Sequence, residues 1–170
     1  GIAVDGPPEF TKPSCLGVMN SPASAIEHFV SNHASALPIA ETGRNAWGVL
    51  WFKWPAPCTE LEALWLSVSR REVALSCKLA HTHFASTRYL PKKLTNLQLK
   101  RRIAREAVAE ARRFMRGEIA VAVERNKDGT VGSSMWCRKN QLAVAIARSQ
   151  AVFGASKKYD AWAWSGVIEC

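Results

Sequence analysis

Residues 95–136 read TNLQLKRRIAREAVAEARRFMRG followed by EIAVAVERNKDGTVGSSMW, and the change of period inside this stretch decides the fold. In the first half Ile103, Ala107, Ala111 and Phe114 recur at steps of four, four and three, which places them on one side of a helix. Thr95 with Gln98 forms a capping box, Leu94 and Leu99 are placed as the hydrophobic staple around it, and Gly117 supplies the stop. The second half reads as a hairpin. Ile119 to Arg125 is one strand, Asn126-Lys127-Asp128-Gly129 is the turn, and Thr130 to Trp136 is the other strand.

Working outward, the C-terminal side predicts a helix from about Arg138 to Phe153, with Leu142, Ile146 and Ala147 inward and Gly154 as stop. A last strand, Tyr159 to Ile168, has Trp162 and Trp164 on one face. On the N-terminal side, Ser21 and Pro22 open a short amphipathic helix from Ala23 to His33. Ala46 to Trp54 (AWGVLWFKW) reads as a buried strand ended by Pro55 and Pro57, and Leu64 to Val68 as another. Val73 to Phe84 alternates as a strand does, and a short helix is the other reading. The expected class is α/β in the mixed α+β sense: one compact domain over residues 21–170, a mixed sheet and flanking helices. Residues 1–20 read as an N-terminal extension, and the start at Gly1 is expected to reflect either a cleavage or tag scar within the first ten residues (GIAVDGPPEF) or a truncation.

Composition narrows the function classes. The 170 residues are 48% hydrophobic with seven tryptophans, which excludes wholesale disorder. The longest apolar run, Ala46 to Phe52, falls far short of the roughly 20 residues of a membrane-spanning helix. The five cysteines (Cys15, Cys58, Cys77, Cys137, Cys170) show no CxxC spacing and no zinc-type Cys/His cluster. An odd count of thiols predicts a reducing compartment, the bacterial cytoplasm, with a peripheral place at the inner membrane compatible with it. His81 and His83 share a strand face but lack an identifiable third ligand, and His28 and His33 lie near the first helix without a partner. GxxxxGK[ST], GxSxG and HExxH do not occur.

The net charge of +9 is concentrated. Residues 88–116 alone carry ten basic and two acidic groups, whereas residues 1–87 have a net charge of −1. Arg101, Arg105, Arg112 and Arg116 recur at steps of four, seven and four, forming a second stripe beside the apolar one. Glu106 can pair with Arg102 and Glu110 with Arg113, which leaves the stripe uncompensated. Four like charges on one face favour an anionic partner, and DNA phosphate is the natural candidate. Tryptophans can stack single-stranded bases, but most of the seven are expected to fill the core or a partner surface, with Trp136 the one left open as a platform.

The order helix, strand, DG hairpin, strand, basic turn, helix, strand over residues 96–168 resembles the ParB/sulfiredoxin superfamily. In that superfamily a strand ends in a GxRR-like or GCHR-like turn from which the next helix starts. The matching stretch is Trp136-Cys137-Arg138-Lys139 followed by Asn140-Gln141-Leu142-Ala143-Val144-Ala145, with Trp136 where the family has glycine. As a small basic member, the chain looks most like the Osa-like plasmid fertility-inhibition group. That resemblance implies binding of ATP and DNA, with ATP hydrolysis and DNA cleavage aided by Mg2+. It also implies the blocking of DNA transfer by a conjugation or type IV secretion system, through its coupling ATPase or the transferred nucleoprotein.

The residues suggest a site for this chemistry. The start of the second long helix, with Arg138, Lys139, Ser133, Ser134 and Gln141, is expected to cradle phosphate. Cys137 stands where sulfiredoxins carry their nucleophile, and a helix N-terminus beside two cations should lower its thiol pKa. Glu118 and Glu124 are the carboxylates for metal binding or water activation, and Asp128 is read as a turn residue. Two alternatives stand beside the enzyme reading. One is a non-catalytic basic module that holds nucleic acid or protein through the arginine stripe. The other is a sulfiredoxin-like thiol enzyme dependent on Cys137.

Overall fold

The computed structural model describes residues 24–85, 94–126, 128–154 and 158–168. Helix α2, Asn96–Met115, is the centre of the arrangement. Thr95 Oγ1 accepts from the Gln98 backbone N–H at 3.2 Å, and Gln98 Oε1 accepts from the Thr95 N–H at 2.9 Å. Gly117, at φ +71°, takes the left-handed conformation that ends the helix. Ile103, Ala107, Ala111 and Phe114 are buried as their spacing requires, and Ala104 and Val108 widen the stripe. The extra width has a physical cause, since α2 is packed on more than one side.

On one side lies a five-stranded antiparallel meander: β1 (Glu41–Arg44), β2 (Leu50–Pro55), β3 (Ala63–Val68), β4 (Glu72–Ser76) and β5 (His81–Ala85), adjacent in that order. Leu64, Leu66, Val68, Val73, Leu75 and Phe84 are buried in one core with α2 and with helix α1 (Ala25–Ala34). On the other side lies a four-stranded antiparallel sheet in the order β7-β6-β8-β9, made of β6 (Ile119–Arg125), β7 (Val131–Arg138), β8 (Lys158–Ala163) and β9 (Gly166–Ile168). Its β6 is buried on both faces: Ile119, Val121 and Val123 join the α2 core, while Ala120 and Ala122 pack under helix α3 (Leu142–Phe153). The layers therefore run sheet, α1 with α2, sheet, α3. The class is α+β, as expected, but two wholly antiparallel sheets stand in place of one mixed sheet.

Several boundaries differ from expectation for local reasons. Helix α1 starts after Ser24, whose hydroxyl accepts from the Glu27 N–H while Glu27 Oε2 accepts from the Ser24 N–H; Ser21 and Pro22, like the extension 1–20, lie outside the described residues. Residues 46–49 form a turn, because Asn45 Oδ1 accepts from the N–H groups of Trp47 and Val49, each at 3.0 Å, and Gly48 sits at φ +74°. The ambiguous Val73–Phe84 stretch is two strands, closed by a Cys77 N–H to Ala80 carbonyl bond of 2.9 Å. The last strand is likewise a hairpin, with Gly166 at φ +142° just after the turn that separates β8 from β9.

Candidate functional site

The residues expected to form a phosphate cradle are split between the two faces of the second sheet. Side chains alternate along β7. Ser133 points to the α3 side, where its Oγ donates to Glu124 Oε2 at 2.9 Å, and Glu124 is only 6% exposed. Met135 and Cys137 share that side, against Leu142 and Ile146. Ser134, Trp136 and Arg138 fall on the opposite side, toward α2. Arg138 belongs to the strand, opposite Ile119, and one turn of 3-10 helix (Lys139–Gln141) separates it from α3.

That placement corrects three expectations. Cys137 sits opposite Ala120 on the edge strand β7, packed with Leu142 where α3 starts, and burial pushes its thiol above the ordinary range instead of lowering it. Arg138 faces the protein's own carboxylates, 3.6 Å from Glu110 and 4.0 Å from Glu118. Ala147 is exposed, so α3 rests on the sheet mainly through Leu142 and Ile146. Lys139 and Gln141 are exposed on the 3-10 turn, where no side chain caps the start, and the Lys139 N–H donates to the Glu118 carbonyl at 2.8 Å.

The carboxylates do not fit the magnesium site that the resemblance implies. Glu118 lies by Arg138 on the α2 side and Glu124 is buried under Ser133 on the α3 side, so the two do not converge. Asp128 is the turn residue expected: it accepts from the Thr130 N–H and hydroxyl, which hold its carboxyl below the usual range. The rings of His81 and His83 meet edge to face at 5.1 Å, and His83 lies 3.5 Å from Glu72. Among the described residues no group of three or more His, Cys, Asp or Glu side chains is placed to hold a metal ion. Trp136 is no open platform, for its ring stacks on Phe114 at 4.5 Å and its Nε1–H donates to Glu110.

The arginine stripe does converge with other groups. α1 and α2 pack side by side and leave a groove of about 630 Å3 between them. Phe29, Asn32 and His33 of α1 line it, facing Arg101, Arg102 and Arg105 of α2. A smaller concavity of about 190 Å3 continues it, sharing Asn32, His33 and Arg105 and adding Arg112. The Arg101 guanidinium lies 5.1 Å from the Phe29 ring centroid, a cation–π contact that keeps the charge at the rim. Arg102 is paired with Glu106 at 2.8 Å, while Arg105 and Arg112 have no ion pair among the described residues. Arg116 is exposed at the end of α2 and lines neither concavity. The sequence had shown the arginines but not Phe29, and had set His33 aside as lacking a partner; the four-residue spacing of these two, with Asn32 between them, marks one face of α1.

No family model, curated protein or solved structure was found to match the chain. Among the described residues no helix is long and apolar enough to cross a membrane.

Proposed function

We propose that the α1–α2 groove binds the phosphodiester backbone of nucleic acid, single strands in preference to duplex. The observation that supports this reading is the convergence of Arg101, Arg105 and Arg112 with Phe29 and His33 on one concave surface. Guanidinium groups meet phosphate oxygens in two-pronged hydrogen bonds, and flat rings accept an unstacked base. The groove is open and built on two capped helices, so the cations are positioned before the ligand arrives. Glu118, Glu124 and Cys137, which the hydrolase and thiol readings require, lie away from it. Binding is thus the activity that the geometry favours, and interference with DNA transfer is a role such binding would serve.

The test is fluorescence anisotropy with a labelled oligonucleotide, single-stranded and duplex, across a salt series. With three to four phosphates neutralised, the logarithm of affinity for the single strand should fall against log salt with a slope of about −2 to −3. Arg105→Glu with Arg112→Glu should lower affinity at least tenfold. Wild-type affinity in that variant, or a flat salt dependence, overturns the proposal. Release of phosphate from ATP, or Mg2+-dependent cleavage of the strand, that survives this double substitution would return the function to the hydrolase reading.

A further inference from the structure

We propose that the outer face of α3 docks on the surface of an anionic phospholipid bilayer. Nine of its twelve residues (LAVAIARSQAVF) are apolar, the exceptions being Arg148, Ser149 and Gln150. A helix apolar around its circumference belongs in an interior. Yet Leu142 is the one residue of α3 that is buried. The inner side is accounted for by Leu142 and Ile146 on the sheet and by the hydrogen bond between the Ser149 and Tyr159 hydroxyls. The rest faces outward: Ala143, Val144, Ala147 and Ala151 are exposed, and at the C-terminal end Val152 and Phe153 are 73% and 65% exposed.

Charge indicates what covers this face. From Lys139 to Lys158 the sequence contains four cations and no Asp or Glu. Lys139 and Arg148 are exposed, one just ahead of the helix and one on it. A second copy of the chain would bring the same cations and no carboxylate to meet them. A bilayer with anionic headgroups supplies both complements: acyl carbon for the exposed Val144 and Val152, and phosphate for Lys139 and Arg148, because long cationic side chains can lay their stems on apolar surface while the charge reaches outward. The α3 face lies across the sheet from α2, so a bilayer held there leaves the arginine groove accessible.

The experiment is co-flotation of the protein with vesicles of phosphatidylglycerol and phosphatidylcholine, against vesicles of phosphatidylcholine alone, at about 0.15 M salt where long-range attraction is screened. Flotation is expected with the anionic vesicles and at least tenfold less with the neutral ones. Val144→Asp with Val152→Asp, at two exposed positions, should lower the bound fraction at least tenfold with an unchanged melting temperature. Arg105→Glu with Arg112→Glu should lower it less than threefold. The reverse ranking of the two variants would assign adsorption to the groove and overturn the proposal. So would equal flotation with neutral vesicles, or a vesicle-free dimer that the Val144/Val152 variant dissolves.

Discussion

Arg138 of β7 holds its guanidinium 3.6 Å from the carboxylate of Glu110 on α2, and the same carboxylate accepts the Trp136 Nε1–H at 3.2 Å and lies 3.3 Å from Arg113. One half-buried acid thus ties the edge strand of the second sheet to the central helix. An arginine matched in this way has little charge to offer a phosphate. Arg138→Ala should therefore leave oligonucleotide affinity within about twofold of wild type and cost no more than about 1 kcal/mol of stability, the scale of a partly exposed ion pair. Anisotropy and urea denaturation check the two numbers. A tenfold loss of affinity would put the phosphate site back at the end of β7.

This relationship shows where the sequence stopped being informative. The alternation of β7 is visible in Ser133-Ser134-Met135-Trp136-Cys137-Arg138, but the point at which the strand ends is not. Reading the helix from Arg138 puts Ser133, Ser134, Cys137 and Arg138 around one anion. Continuing the strand to Arg138 distributes them over two faces. Extending the strand by two residues, from Trp136 to Arg138, changes an expected catalytic centre into a structural tie.

The bridge between Glu27 and Arg44 offers a pH test. Glu27 Oε1 and Oε2 accept from the two terminal nitrogens of Arg44 at 3.1 and 2.9 Å, and Oε2 also caps the Ser24 N–H. The Arg44 guanidinium, with the Ser24 N–H, holds the Glu27 carboxyl below the usual carboxylate range against the opposing pull of burial. A depressed folded-state pKa contributes stability that is complete above the unfolded value of about 4.3 and is lost as pH falls through the folded one. Glu27→Gln removes the charge while keeping an acceptor for the cap. It should cost about 1.5–3 kcal/mol near neutrality. The deficit should shrink below about pH 4. Urea denaturation at pH 7 and pH 3 measures both; an equal deficit at the two values would show that the ion pair is not the source.

More of the fold than of the site was legible, and the reason is periodicity. α2 buries a face that repeats at 3.6 residues, and β6 alternates large and small apolar residues while burying both faces, so Ile103, Phe114 and Val121 announce themselves. β1 is four residues long and leaves three of them exposed, so Glu41-Thr42-Gly43-Arg44 has no pattern to read. Its pairing follows from the Asn45 side chain closing the turn to Leu50, a local hydrogen-bond event outside hydrophobic patterning. The groove was half legible in the same way. Arginine spacing on α2 is a property of one helix, whereas Phe29 and His33 become partners only through the packing of α1 on α2.

The Cys137 thiol distinguishes a buried residue from a nucleophile. It is half-buried, and desolvation raises its pKa above the ordinary value. The thiolate is the reactive form, so alkylation by iodoacetamide at pH 7.5 should be slower at Cys137 than for free cysteine. The rate should rise about tenfold per pH unit up to at least pH 8.5, since the folded pKa lies above the ordinary thiol value. Peptide mass spectrometry reads the Cys137 adduct separately from those of the other cysteines. Faster labelling than free cysteine at neutral pH would support the thiol-enzyme alternative.

Phe114 is the residue on which the aromatic core closes. Its side chain is fully buried, its ring stacks on Trp136 at 4.5 Å with 13° between the planes, and it meets Trp164 edge-on at 5.6 Å. Both tryptophans come from the second sheet region and Phe114 from α2, so this cluster fastens that layer to the helix. Phe114→Ala removes a buried ring from between them and should cost about 3–5 kcal/mol. That is a large fraction of the roughly 5–15 kcal/mol by which domains are stable. The variant should also shift tryptophan emission to the red as water reaches Trp136. Trp136→Phe keeps an aromatic neighbour for Phe114 and loses the Nε1–H bond to Glu110 with part of the stacked ring, so its cost should be smaller, about 1–2 kcal/mol. Equal losses in the two variants would mean that the hydrogen bond, and not the stack, joins β7 to α2.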